Sequence, residues 1–357
     1  MGGILAAMNR LIVALCLSLV TLAGPSLAAP QPKVVSSAPC AAQTGTYEEY
    51  VARGRQRVEQ ILAEAEAELA TASNKSTAAL EDHRKGVAEF KAWQPMPKPA
   101  FDAAFKSNLT CERFVYLSGG LKIIGYAMRA IETKGRAPVL LFLRGGNRDF
   151  GRLDEGNLAK IFAPFARKGY VVIGTQYRGA EGGDGKDEFG GRDVDDVLAL
   201  AELARARPDA DPANVFLYGV SRGGMEAYLS LHRGLAVNAA VIHAGVADLE
   251  GALIARPMLE KNYEELIPDY KQTRATALRS RSAIFWADEL RVPLLLVHGT
   301  ADWRVPAAHV LQVAEKLQAA NREYGLILYS GDNHGLTKNF ADVINQTHAW
   351  FTAHRKP

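Results

Sequence analysis

Val215-Phe-Leu-Tyr-Gly-Val-Ser221-Arg-Gly-Gly-Met225 is the stretch that decides the fold. Val215–Tyr218 is a short apolar run of strand-forming residues, and helix-forming sequence opens at Met225. The glycine-flanked Ser221 therefore sits on a sharp strand-to-helix turn. Gly219 and Gly223 remove side chains that would clash in such a turn, which lifts the serine hydroxyl clear of the sheet edge. The backbone N–H of Arg222 then falls at a helix N-terminus, where unpaired donors and the helix dipole favour a negatively charged oxygen. Ser221 is the candidate nucleophile, and the Arg222 N–H is a candidate oxyanion donor.

A serine hydroxyl is a poor nucleophile until a base takes its proton, so a histidine has to follow. Of the 8 histidines, His83 precedes the sheet-forming region, His232 lies in the helix after Ser221, and His298 sits at a strand end. His348 and His354 fall in C-terminal helical sequence. His334, in Tyr329-Ser-Gly-Asp-Asn-His-Gly335, lies in a loop after the last expected strand, from which an imidazole reaches back to Ser221. It is the candidate base. Asp302, in His298-Gly-Thr-Ala-Asp-Trp-Arg-Val-Pro306 after the strand Pro293–Val297, is the candidate acid. A carboxylate there accepts the imidazole N–H, holds its tautomer and stabilises its cation. Asp332 is the rival, but it stands two residues before His334 inside the turn-forming Gly331-Asp-Asn333, and is poorly aimed. A second oxyanion donor is expected from Arg144-Gly-Gly-Asn147 after the strand Val139–Leu143, with the N–H of Gly145 and of Gly146 both candidates.

The same texture continues on either side. Tyr170–Gly174, Ala239–His243 and Leu326–Tyr329 are further apolar strands, separated by helical stretches such as Asn157–Lys168 and Asp193–Arg207. Apolar strands alternating with helices predict an α/β chain with a mostly parallel central sheet covered by helices on both faces. With the serine turn, that is the α/β-hydrolase fold. Glu112–Leu117 and Leu121–Arg129 flank Ser118-Gly-Gly120 and read as a hairpin. Residues 249–290 are helix-forming and Arg-rich, and are a candidate cap insertion. Before the sheet, apolar residues three or four apart predict helices over Tyr47–Ala70 and Thr77–Trp93, ended by Pro95, Pro97 and Pro99. A short helical N-terminal arm (residues 47–110) thus precedes the hydrolase domain (111–357).

Residues 1–28 read as an export signal. Arg10 supplies a basic start, Leu11–Ala23 an apolar run, Gly24-Pro25 a break, and Ser26-Leu-Ala28 the small residues of a cleavage site. As a helix that run rises about 20 Å, short of the roughly 30 Å hydrocarbon core. No stable membrane insertion is expected after cleavage, and the expected location is periplasmic or secreted. The Pro/Ala/Ser-rich residues 29–46 read as a flexible linker. Cys40 and Cys111 remain; in an oxidising compartment they pair and tie the arm to the core, or they stay separate thiols. The formal net charge of +3, with both signs interspersed, gives no support to nucleic-acid binding. No Cys/His spacing resembles a zinc site, and neither metal nor cofactor is expected.

From about Phe114 to Phe351 the chain resembles the catalytic domain of the prolyl oligopeptidase family of serine peptidases. The matching stretches are Gly169-Tyr-Val-Val-Ile with Tyr177-Arg-Gly179, Gly219-Val-Ser-Arg-Gly-Gly224, Pro293-Leu-Leu-Leu-Val-His-Gly299, Asp302 with Val305-Pro306, and His334-Gly335. The resemblance implies that Ser221, Asp302 and His334 form the family's triad. Two departures accompany it. The stretch before the sheet is helical and too short for the family's β-propeller, so propeller carboxylates that bind a peptide's free amine have no counterpart. Arg144 stands where relatives often carry His or Tyr, so no tyrosine hydroxyl is expected in the oxyanion hole. The implied activity is cleavage of a peptide or acyl-amide bond of a small substrate through an acyl-enzyme. An exported carboxylesterase using the same triad is the alternative, and a non-catalytic binding protein on a hydrolase scaffold the second alternative.

Overall fold

Nine strands form one sheet: β1 (Val34–Pro39), β2 (Leu109–Ser118), β3 (Leu121–Ala130), β4 (Ala137–Leu143), β5 (Val171–Thr175), β6 (Ala210–Val220), β7 (Ala239–His243), β8 (Leu294–Gly299) and β9 (Tyr324–Tyr329). The structure is a computed structural model that describes residues 32–70 and 77–357, and these residues form one compact unit. The strand order is β1-β2-β3-β5-β4-β6-β7-β8-β9. Pairing is antiparallel from β1 to β5 and parallel from β5 to β9. The fold is the mostly parallel α/β-hydrolase sheet that the sequence predicts.

The central strands read as continuous apolar runs because both their faces are buried. Val139, Leu141, Val215, Leu217, Ala240, Ile242, Leu294 and Leu296 join a core under the helices Asp193–Ala206, Arg222–His232 and Ala308–Ala319. The alternate residues Leu140, Phe142, Phe216, Tyr218, Val241, Leu295 and Val297 join the second core under Lys98–Phe105, Ala163–Arg167 and Phe340–Ala353. A one-residue slip in register would exchange the two sets, so the pattern pins the strands. Because the strands run parallel, the loops after β4, β6, β8 and β9 all leave the same edge of the sheet, where ligands of such folds are bound. Those four loops carry Gly145 and Gly146, Ser221, Asp302 and His334.

Two stretches differ from expectation. Residues 34–39, read as part of a linker, form β1, an exposed edge strand paired with β2. The reason is tertiary: Cys40 is disulfide-bonded to Cys111 in β2, and Cys40 N–H donates to Cys111 O at 2.9 Å. Both cysteines are buried, and in the chain-entropy picture a cross-link spanning 71 residues contributes about 4 kcal/mol. Second, Asn157–Lys168 is not one regular helix. Leu158–Phe162 is a π-turn in which Ala163 N–H reaches Leu158 O, because Pro164 has no N–H to continue the regular ladder. The arm packs on the hydrolase core: Tyr50, Phe101 and Phe105 share one buried cluster with Phe142, Phe162 and Phe165. Within the arm, Tyr50 Oη accepts from Met96 N–H. The expected signal, residues 1–28, lies outside the described residues. Among the described residues, no helix is long and apolar enough to cross a membrane.

The arm helices Tyr47–Ala70 and Thr77–Lys91 lie over the loops at the functional edge. Arg53 pairs with Glu155 at 2.7 Å and Arg57 with Asp154 at 3.2 Å. Phe90 meets Phe150 edge-on, and Glu89 pairs with Arg304 and accepts from Trp303 Nε1 at 3.0 Å. Residues 249–290, the expected cap, form the helices Leu249–Ala255, Leu259–Leu266 and Tyr270–Arg281 between β7 and β8.

Candidate active site

Ser221 is held at φ 58° and ψ −122°, a conformation that L-residues rarely adopt and that persists only where the surroundings enforce it. The enforcing contacts are backbone. Ser221 N–H donates to His243 O at 2.9 Å, while Ser221 O accepts from Gly224 N–H at 2.9 Å and Val246 N–H at 3.2 Å. The motif glycines are required by close approach: a Cβ on Gly219 would collide with Gly223 O, and one on Gly223 with Leu143 O. Strands β4 and β6 therefore end against each other, which carries Gly145 to Ser221. A Cβ on Gly145 would lie 3.0 Å from Ser221 Cβ and 3.6 Å from its Oγ.

His334 Nδ1 and Asp302 Oδ2 are 2.7 Å apart. The Asp302 side chain is fully buried, whereas that of His334 is 17% exposed, so the pair is anchored inside and open on the imidazole side. Asp302 Oδ2 also lies 3.1 Å from His298 Nε2, and its Oδ1 accepts from the N–H groups of Arg304 and Val305. Burial alone would raise the Asp302 pKa; the donors His298 and His334 outweigh it and hold the carboxyl well below its usual range. Asp302 therefore stays a carboxylate and fixes the proton of His334 on Nδ1, leaving Nε2 to accept.

His334 is placed by a second histidine. His243, at the end of β7, is buried, and its Nε2 is 3.3 Å from His334 O while its Nδ1 is 2.9 Å from Tyr218 Oη. The consistent tautomer has Nε2–H donating to His334 O and Nδ1 accepting from the tyrosine. The carbonyl of the same residue accepts from Ser221 N–H, so His243 links the loops of Ser221 and His334. Asp332 does not compete for the base. Its oxygens accept from the N–H groups of Asn333, Lys338 and Asn339 and from Asn339 Nδ2, which fixes the loop that carries His334.

Burial lowers His243 to about 3 and His309 to about 4, so both are neutral in the folded protein at neutral pH. Unfolded histidines protonate near 6.5, so below that value the unfolded chain binds protons that the folded one refuses. Stability should therefore be complete above pH 6.5 and fall between pH 6.5 and about 4, with each histidine contributing up to about 1.4 kcal/mol per pH unit. Urea midpoints at pH 7 and pH 5 measure this, and an unchanged midpoint refutes it.

The glycine loop is fastened from behind by two buried arginines. Arg144 donates to the carbonyls of Gly145, Arg148, Phe150 and Gln176, and Tyr177 Oη donates to Arg144 O. Arg222 Nη1 donates to Gly146 O at 3.1 Å. In a trans peptide the N–H opposes the C=O, so these bonds turn the N–H groups of Gly145, Gly146 and Asn147 away from the arginines. The loop is thereby built as a set of outward donors, as an oxyanion hole requires. The Arg222 side chain also pairs with Asp187, Asp193 and Glu226, all buried, and both guanidiniums lie 5.1 Å from the Tyr177 ring. Burial lowers Arg144 to about 10. Burial would raise Asp193, but Arg222 holds it to about 2, whereas burial followed by the charge of Asp193 pushes Glu226 well up. The sequence reading placed the backbone of Arg222 here and missed its side chain, along with His243 and His298. The signal for the last two was a histidine closing a wholly apolar strand. Among the described residues no cluster of His, Cys, Asp and Glu is arranged to hold a metal ion.

Residues 157–356 match the Prolyl oligopeptidase family. The uncharacterized peptidase YtmA of Bacillus subtilis is 27% identical over 237 residues, covering 66% of this chain and 90% of the relative. Dipeptidyl-peptidase 5 of Porphyromonas endodontalis is 27% identical over 248 residues, covering 64% of this chain but 35% of the relative. Among solved structures, an acylaminoacyl peptidase of Pyrococcus horikoshii superposes with a TM-score of 0.60 at 22% identity, over 70% of this chain and 42% of its own. The chain thus spans nearly all of the first of these proteins and less than half of the other two.

Proposed function

Since the chain belongs to the prolyl oligopeptidase family and is a serine hydrolase of that family, we propose that it cleaves a peptide or acyl-amide bond of a small substrate through an acyl-enzyme. In this reading Ser221 Oγ attacks the carbonyl carbon while His334 Nε2 takes its proton and Asp302 stabilises the imidazolium. The oxyanion that forms is held by the N–H of Arg222 with those of Gly145 or Gly146. The imidazolium then protonates the departing amine, and water, deprotonated by His334, releases the acyl group and restores the serine. The observation that carries the proposal is the 2.7 Å contact of His334 with a buried carboxylate, in a loop joined through His243 to that of a serine whose backbone is held in a strained turn. The names of relatives, among them a dipeptidyl-peptidase and an acylamino-acid-releasing enzyme, support an amide substrate.

The carboxylesterase reading draws on the arm. The sequence before the hydrolase domain is a short helical arm, too small for a β-propeller, and esterases share the same core chemistry. Paired p-nitrophenyl ester and peptidyl-anilide substrates separate the two readings. Anilide cleavage with labelling of wild-type protein, but not of Ser221→Ala, by a fluorophosphonate is the expected result. Ester cleavage with no anilide cleavage would end the amide reading. Export to an oxidising compartment belongs to the same proposal, supported by the apolar run Leu11–Ala23 and by the Cys40–Cys111 bond.

A further inference from the structure

A cavity of about 550 Å³ lies between the arm helices and the loops after β4 and β8. Val58, Ile61, Phe90 and Trp93 line it from the arm, and Phe150 and Leu153 from the hydrolase core. We infer that this cavity, walled by helices rather than by a second folded domain, receives a bulky apolar or aromatic group of the substrate, resting on the acyl-transfer reading above.

Three observations carry the inference. The first is adjacency to the glycine loop and the acid. A Cβ on Gly151, in the cavity wall, would lie 2.8 Å from Gly145 O, and one on Gly146 would collide with the carbonyl of Phe150, also in the wall. Arg304, a further wall residue, donates its N–H to Asp302 at 2.8 Å. The cavity wall thus abuts the loop that borders Ser221 and the acid itself. The second is chemistry. The volume falls in the range of small-molecule pockets, about 300–1,000 Å³, and the aromatic walls suit an apolar ligand with a π-face. Most charged groups that line it are paired, Arg53 with Glu155, Arg57 with Asp154, Arg304 with Glu89 and Glu181 with Arg113, which leaves the aromatic surface as the larger determinant of fit.

The third is Gly54. It lies inside the helix Tyr47–Ala70, where glycine is disfavoured. A Cβ there would stand 2.6 Å from the Trp93 ring. Glycine lets the indole lie on the helix backbone, so the residue trades helix stability for the shape of the cavity. The contacts Arg53–Glu155, Phe90–Phe150 and Glu89–Arg304 then hold the arm helices against the core, so the cavity exists before any ligand arrives.

The test reads binding and not turnover, so that it stands apart from the acyl-transfer reading. Isothermal titration of the Ser221→Ala protein with N-benzyloxycarbonyl-glycine anilide and N-acetyl-glycine anilide compares a large apolar group with a small one. The expected result is a Kd at least tenfold lower for the benzyloxycarbonyl probe, with the advantage lost in Val58→Trp and in Phe90→Trp, which fill the cavity from two different helices. Equal affinity for the two probes overturns the inference. So does an advantage that survives both filling variants, each shown by circular dichroism and Tm to be folded. A failure of wild-type protein to react with a fluorophosphonate would sink the acyl-transfer reading while leaving the titration to decide the pocket.

Discussion

Ser221→Ala is expected to lower kcat toward any acyl substrate by about 10⁴-fold or more and to leave the fold intact. Removing the nucleophile of a triad eliminates the covalent route, and comparable substitutions elsewhere cost up to about 10⁶-fold. The structure adds a second expectation that a merely structural serine would not share. Ser221 occupies φ 58° because backbone bonds to His243, Gly224 and Val246 hold it there. Alanine inherits that strain, so its urea midpoint should match wild type. Glycine adopts positive φ freely, so Ser221→Gly should be as inactive as the alanine variant yet more stable, by about 1 kcal/mol. Paired measurements of kcat and urea midpoint on the two variants check this. An alanine variant with even a tenth of wild-type kcat would remove Ser221 from the reaction.

Asp302→Asn is expected to lower kcat by about 10⁴-fold, because an amide presents donor hydrogens where the imidazole needs an acceptor and so favours the wrong tautomer. Asp332→Asn, at the rival carboxylate, should lose stability through its loop bonds to Lys338 and Asn339 but keep kcat within about tenfold. If the rival variant were the less active of the two, the acid would be misassigned. The pH dependence gives an independent readout. The folded pKa of Asp302 is depressed by His298 and His334 against the opposing effect of burial, so the stability it contributes is fully present above the unfolded value near 4 and is lost as pH falls below it. Acid unfolding of Asp302→Asn should therefore lack that component, giving a shallower loss of stability below pH 4.

How legible this site was depended on which residues are fixed by topology and which by distant contact. Ser221, Asp302, His334 and Gly145 each follow directly on a strand, and strands of this kind show themselves as apolar runs. Their convergence needs only that the strands be parallel and end at one edge. Nothing of that kind marks Val34–Pro39, all of whose side chains face solvent. Its strand form comes from β2 and from a disulfide partner 71 residues away. The π-turn at Leu158–Phe162 follows from Pro164, which was visible, although its consequence was a widened turn where a break was equally open. The role of His243 was hidden for another reason: its ring meets His334 and its carbonyl meets Ser221, across separations that no local spacing encodes. His298 lies four residues before Asp302, and only the fold shows its ring turning back onto that carboxylate. The Arg222 side chain, which reaches Gly146 and Asp187 in other loops, belongs with His243.

One consequence of that buried cluster concerns the solvent. Arg144 and Arg222 bring two positive charges into the interior, and Asp187 and Asp193 bring two negative ones. Burial, followed by the charge of Asp193, pushes the third carboxyl, Glu226, well above its usual value. The unfolded chain, by contrast, surrenders that proton above pH 4.5 or so. Glu226 is thus linked to folding with the opposite sign to Asp302: the folded chain holds its proton to a higher pH than the unfolded one, and its contribution weakens as pH rises. The two arginine charges behind the glycine loop are countered by buried carboxylates, and in the proposed reaction the pull on a developing oxyanion is left to the peptide dipoles in front.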